Sequence, residues 1–399
     1  MKRSNAMKTM SSRPRGVSLI ELMVAITIAL LVTLGLIQIF GASRMSSQVQ
    51  EGLSRVQENG RFVTQYMQRQ LRMVGYMGCG SDVGRFTETS FVNHFATFAG
   101  AVDSEYRFQR PIEAFGPGMT LPTEFAGITP DATSDVLVMR VFSEDSVPVV
   151  SISKTGDDLN LQIGQPDAAF LPTPTQPAVL ALQNCRSADV FAASLSGTAP
   201  GSQIVAAGRT APNVYLDPTC SNCPWDFRIS NAFLNAKALV GASNFNAEVH
   251  RGEYVALFVQ PGAAGPRSLW VRRFERDGTV LGNAEELVEG VDNMQLRFGY
   301  DSDVDADGRI NDYRTAAEVV GGVTDALALD ERWRRVLSVR VALLLRSPDI
   351  AGGGVTTEND GVTAKEYSLL GTTVAPGNDG VMRQIYETTI ALRNRLVNS

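Results

Sequence analysis

The chain has 399 residues but only two histidines, His94 and His250, far apart in sequence. It contains no H-E-x-x-H, no G-x-S-x-G, no phosphate loop and no glycine-rich dinucleotide fingerprint. These absences remove the common metalloprotease, serine-hydrolase and nucleotide-dependent enzymes. Carboxylate pairs of the kind glycosidases use are present only as scattered Asp and Glu, and no pair is singled out. The chain therefore reads as a non-enzyme, with a membrane-anchored periplasmic enzyme as the distant alternative. Base is also short: 36 Lys and Arg stand against 42 Asp and Glu, a net charge of −6, which argues against nucleic acid as a direct partner. With 44% hydrophobic and 20% charged residues, the composition is that of a globular protein large enough for a substantial core.

Charge is most conspicuously missing between Val17 and Phe40, where Glu21 is the only ionisable residue in 24. As a helix this run measures about 36 Å, enough to cross a bilayer core of about 30 Å. It exceeds the apolar region of an ordinary secretory signal. Lys2, Arg3, Lys8, Arg13 and Arg15 precede it with no acidic residue among them. That asymmetry holds the N-terminus in the cytoplasm and sends the chain beyond Phe40 across the membrane. A carboxylate in such a span is costly, about 2.5–3.5 kcal/mol at the bilayer centre and less near the headgroups. Glu21 therefore either sits at the interface or has a fixed partner. Cleavage after Gly16 would supply one, since the new amine of Val17 could meet Glu21 of a neighbouring copy.

The segment R-P-R-G-V-S-L-I-E-L resembles the class III signal of type IV prepilins and type II secretion pseudopilins. The resemblance implies that residues 1–16 are a leader removed by a prepilin peptidase after Gly16. It implies further that Val17 is N-methylated and that Glu21 is an assembly contact. The family's usual Phe or Met at the first mature position is here Val17.

Proline is absent from Val17 to Val74, so the helix is expected to continue beyond the membrane. Met45, Val49, Leu53, Val56, Gly60, Val63, Met67, Leu71 and Val74 recur at intervals of three and four, one stripe of an α-helix. Glu51 and Arg55 are spaced to pair at i,i+4. Gly75, Gly78 and Gly80 mark the stop. Residues 17–40 form the membrane half, 41–76 its amphipathic continuation, and 77–399 a periplasmic β-rich domain. Within that domain Val136–Phe142, Val149–Ile152, Tyr254–Val259 and Ser268–Phe274 read as strands of a mostly antiparallel sheet with long loops.

Cysteine is limited to Cys79, Cys185, Cys220 and Cys223. A single C-x-x-C without a second one or a nearby histidine is weak as a zinc or redox site, and the compartment permits disulfides. Four cysteines allow three connectivities. Cys79–Cys185 would tie the helix end to the β domain, worth at most about 4–5 kcal/mol by chain entropy, and Cys220–Cys223 would close the small loop.

Asp303, Asp305 and Asp307 followed by Gly308 reproduce the first half of an EF-hand-type loop, with Asn311 at a later ligand position. Arg314 stands where the bidentate Glu would be, so Asp301, Asp312 or a residue distant in sequence would have to supply the missing oxygen. The pattern fits Ca²⁺ or an acidic turn. Downstream, Trp333–Arg346 reads as a central strand with Leu337, Val339, Val341, Leu343 and Leu345 on one face. A Gly- and Thr-rich loop occupies residues 351–379, and Arg383–Asn394 reads as the last strand.

Three blocks narrow the resemblance to PilW-type minor pilins: Glu58–Cys79 with its G-Y-x-G-C ending, E-G-V-D-N-M-Q at Glu289–Gln295, and the W-x-x-V-x-S-V-R-V and T-T-x-x-L-R-N close. The resemblance implies an α+β, type IV pilin-like fold, a long N-terminal helix packed on a mostly antiparallel β-sheet. It implies a minor pilin that takes part in pilus assembly, in a priming or tip complex. Its partners would be other minor pilins, the major pilin, the prepilin peptidase and the inner-membrane assembly platform. A J-type pseudopilin of type II secretion is the alternative.

Overall fold

The computed structural model describes residues 18–76, 91–95, 104–155, 158–163, 178–183, 188–196, 203–206, 247–263, 265–274, 281–304, 307–347, 366–376 and 381–393. The leader, Gly16, Val17, Asp305 and all four cysteines lie outside these residues.

A 55-residue helix, α1 (Leu19–Met73), opens the fold. Ser18 caps it: its side chain accepts from the Glu21 N–H, and the Glu21 carboxylate accepts from the Ser18 N–H at 3.1 Å. This reciprocal pair satisfies two of the donors a helix start leaves open. Absence of proline lets the helix run on, and Val74 and Gly75 end it, Gly75 at φ 77°. Arg55 donates to Glu51 at 2.9 Å on the exposed side.

The strands begin with β1 (Phe91–Asn93), β2 (Ile112–Phe115), β3 (Val136–Thr155), β4 (Asp158–Ile163), β5 (Ala178–Gln183), β6 (Ala188–Ser196), β7 (Gln203–Ala206), β8 (Glu248–Pro261), β9 (Arg267–Arg273) and β10 (Glu285–Glu289). Next come β11 (Val291–Tyr300), β12 (Asp312–Arg314), helices α2 (Ala316–Val320) and α3 (Ala326–Arg334), β13 (Val336–Arg346), the hairpin β14 (Tyr367–Leu369) and β15 (Thr372–Val374), and β16 (Arg383–Ala391). Apart from the parallel pair β1–β6, the ladders are antiparallel.

Two sheets carry the architecture. A four-stranded sheet runs β12-β11-β13-β16, with β13 central. The larger sheet contains a ring, because β3 pairs with β8 over Leu137–Pro148 and with β4 over Val149–Thr155. From β4 the pairing continues through β7, β6 and β5 back to β8. Six strands thus close a small barrel, which removes the free edges an open sheet would expose. Val147, Val149, Leu161, Leu180, Leu182 and Phe191 fill it.

The main core lies between α1 and both sheets. Val56, Val63, Met67 and Leu71 of the helix meet Leu137, Met139, Val255 and Leu257 of the large sheet and Leu296, Phe298, Val339 and Leu343 of the small one. A buried ion network joins β2 to α3: Arg110 lies 2.8 Å from both Glu113 and Asp330.

Several expectations need correction. Trp333 and Arg334 end α3 and do not open a strand; Asp325 caps that helix by accepting from the Ala328 N–H at 2.9 Å. Trp333 is buried edge-on against Phe298, centroids 5.1 Å apart, so its apolarity serves a helix–sheet contact. Val149–Ile152 is the second half of β3, continuous through Pro148, with an irregular register between Phe142 and Ser146. The Gly- and Thr-rich stretch holds the β14–β15 hairpin, which covers Ala342 and Leu344 on the side of β13 away from the main core. The upper members of the helical stripe, Met45 and Leu53, are exposed, since the domain buries the helix only from Val56 onward.

Candidate functional site

Two features combine chemistry with placement: the bare upper half of α1 and the acidic loop after β11. Along the upper half every large apolar side chain faces outward, from Leu19 (76% exposed) to Phe40 (68%). No other helix among the described residues is long and apolar enough to cross a membrane. Such a surface in water would be strongly unfavourable, at roughly 25 cal/mol per Å² of apolar area. It therefore demands lipid or neighbouring apolar helices. Glu21 sits in the first turn, where the positive end of the helix dipole favours a carboxylate. Its oxygen Oε2 is within 3.1 and 3.2 Å of the Ser18 N and Oγ. In the single chain the carboxylate is thus held by its own cap, still exposed and able to meet a cation from outside.

The lower half is seated along its length. Asn59 donates to the Glu289 carbonyl at 3.1 Å, Gln68 donates to Thr388 at 3.3 Å, and Tyr66 accepts from Arg273 at 2.8 Å. Burial pushes the Tyr66 phenol above its usual range, with Arg273 opposing the shift. Gly60 lies on the ring of Tyr386, where an added Cβ would fall 2.4–2.6 Å from ring carbons. At the lower end Tyr76 meets His250 edge-on, centroids 6.1 Å apart. His250 lies on β8 between β3 and β5, so the barrel stands at the end of the helix away from the apolar half.

In the acidic loop, carboxylate oxygens of Asp301, Asp303 and Asp307 lie within 4.8 Å of one another. Asp301 is 2% exposed and accepts from the N–H groups of Asp303 and Gly308, at 3.2 and 2.6 Å. Asn311 closes the turn, accepting from the Ser302 N–H at 2.7 Å and donating to Asp303 at 3.0 Å. Asp303, Asp307 and Asn311 are therefore brought together, and Asp301 joins them. Asp312 is not; it pairs with Arg314 at 2.9 Å. Arg314, at the place of the missing bidentate Glu, lies over the Tyr300 ring at 4.2 Å. The donor set is hard oxygen and suits Ca²⁺, although fewer carboxylates converge than in a full EF-hand.

The role of E-G-V-D-N-M-Q emerges only in three dimensions. Asn293 and Gln295 are buried and donate to the Thr133 carbonyl at 3.1 and 2.8 Å. Asp292 is held by Arg383, 2.5 Å away. Asp135 accepts from the Leu296 N–H at 2.6 Å, and burial lifts its carboxyl to about 6. The motif clasps the loop before β3 onto β11, which locks the two sheets together. Polar residues inside an otherwise apolar strand were the available signal.

Residues 256–394 match a family model described as type IV pilus-assembly protein W, and residues 11–37 match the prokaryotic N-terminal methylation motif. No curated protein and no solved structure matches the chain. The first match covers the four-stranded sheet and the clasp motif; the second covers Gly16, Val17 and Glu21. Strands β3 to β7, which form most of the barrel, fall outside both.

Proposed function

We propose that this chain, a type IV pilus minor pilin of the PilW type, works in a priming or tip complex with other minor pilins. Its apolar helix anchors it in the inner membrane and then enters the pilus. As a pilus-assembly protein it interacts with other pilus components in a structural role. The particular partners in this reading are the major pilin, the other minor pilins, the prepilin peptidase and the inner-membrane assembly platform. The observation that carries the terminal position is the barrel at the lower end of α1. Where subunits bundle through their apolar halves, extra mass at the opposite end is best accommodated where no subunit comes next.

In the proposed assembly the peptidase cuts after Gly16 and Val17 is N-methylated. Glu21 then pairs with the amine of a neighbouring subunit. The methylation-motif match over these positions supports the reading, as does the isolation of Glu21 as the one ionisable residue of the run. Glu21→Ala should leave insertion and processing intact yet reduce the protein in sheared pili roughly tenfold, equivalent to about 1.4 kcal/mol. A bulky residue at Gly16 should block processing on a gel-shift assay. Normal maturation of that Gly16 variant would refute the prepilin assignment.

The acidic loop is proposed to take Ca²⁺ through Asp301, Asp303, Asp307 and Asn311, with Asp305 in the same D-x-D-x-D-G frame. Support comes from the convergence of three carboxylates and from their oxygen chemistry. Millimolar Ca²⁺ should raise the melting temperature over an EGTA control, by about 2–4 °C for each kcal/mol. Asp303→Asn should abolish the rise. An unchanged wild-type melting temperature would leave the loop as an acidic turn.

A further inference from the structure

The large sheet has a second face, turned away from α1, and it carries a cavity that pilus assembly does not explain. Strand alternation assigns the faces. Leu269 and Val271 of β9 point into the main core, whereas Trp270 packs with Phe258 on the other side. Beside Trp270, under the turn at Gly127, lies a cavity of about 460 Å³. This is within the range of small-molecule sites.

Its polar lining is consistent in kind. Gln260 and Asn283 offer amides, Thr129 a hydroxyl and Arg272 a guanidinium, and Trp270 belongs to the same lining. No carboxylate is among the described lining residues. Arg272 is fixed in place, its Nε donating to the Gly282 carbonyl at 2.9 Å and its Nη1 to the Glu124 carbonyl. Thr129 and Asn283 are exposed, so the cavity opens to solvent. The indole Nε1 is enclosed and has no hydrogen-bond partner among the described residues.

We infer that this cavity is a saccharide-binding site on the pilus subunit. A pyranose presents C–H groups on its faces and hydroxyls around its rim. The negative face of an aromatic ring attracts such C–H groups. Each hydroxyl both donates and accepts, as the amides of Gln260 and Asn283 and the hydroxyl of Thr129 do. Arg272 adds donors only. A cation ligand has no counter-charge in this lining, and a purely apolar ligand would leave the amides unpaired. The sugar hydroxyls answer both.

The test uses the full chain in detergent on an array of neutral and acidic glycans, with titration of the best binder against indole fluorescence. Binding to a defined sugar class is expected, weakened at least roughly tenfold by Asn283→Ala and by Trp270→Ala. Asn283 is exposed, so that variant remains decisive if the loss of Trp270 disturbs the core. Failure of any glycan to bind above a protein-free micelle control would overturn the inference. So would undiminished binding in Asn283→Ala. Neither result bears on incorporation into pili, which the Glu21 experiment reads separately.

Discussion

Asp135 stands where the two sheets meet, 5% exposed, with its Oδ2 on the Leu296 N–H and its own N–H on the Met294 carbonyl. Burial raises its carboxyl from 3.8 to about 6, against the opposing pull of the Leu296 N–H and of Arg297. The folded protein therefore holds this proton more tightly than the unfolded chain. The associated stability is fully present below pH ~4 and is lost as pH rises through about 6. A shift of about two units corresponds to roughly 3 kcal/mol. Asp135→Asn keeps an oxygen for the Leu296 N–H and has no proton to lose. Denaturant unfolding at pH 4.5 and 7.5 should show the wild type losing about 2 kcal/mol more than the variant over that interval. Parallel pH profiles would refute the assignment. None of this was legible from composition, since Asp135 in sequence is one acid among 42 Asp and Glu. Its environment comes from β11, some 160 residues downstream.

At the scale of the element, the long helix was readable because its signals are local. A missing proline, a run without charge, a three-and-four stripe and a terminal glycine all act within a few residues. What the stripe did not disclose was where the domain begins to cover it. Met45 and Val56 look alike in periodicity, yet one is 49% exposed and the other 2%. The difference is made by β13 and β16, which approach only the lower half. Trp333 shows the opposite failure: an apolar residue next to a strand, claimed by the capped helix before it. At Gly60 the helix backbone lies directly against the Tyr386 ring of β16. Gly60→Ala gains about 1 kcal/mol of helix propensity, but its Cβ would meet the Tyr386 ring at 2.4 Å. Overpacking of this kind costs about 1–3 kcal/mol. The expected outcome is a net loss of up to about 2 kcal/mol by chemical denaturation, reduced when Tyr386→Leu is made in the same chain. A variant as stable as wild type would mean that the ring gives way freely.

For the whole molecule, the barrel is the feature that periodicity could not foresee. Of its six strands only β3 and β8 were read from the sequence, and closure depends on their meeting across about a hundred residues. It also lies mostly outside the matched residues 256–394. The barrel has a direction, fixed by Tyr76 against His250 at the end of α1 opposite the exposed apolar half. In the proposed assembly, with apolar halves bundled, that end would face the next subunit position outward. A barrel there crowds the incoming globular domain unless the position is empty, which makes a terminal subunit the arrangement with the least conflict. Gold particles carrying an antibody to an epitope in the ectodomain should therefore label the ends of sheared pili, about one site per fibre if one copy caps each. Labelling repeated along the shaft would show that the lattice accommodates the barrel, and the proposed terminal position would fall while the prepilin reading, which the Gly16 variant tests, stood.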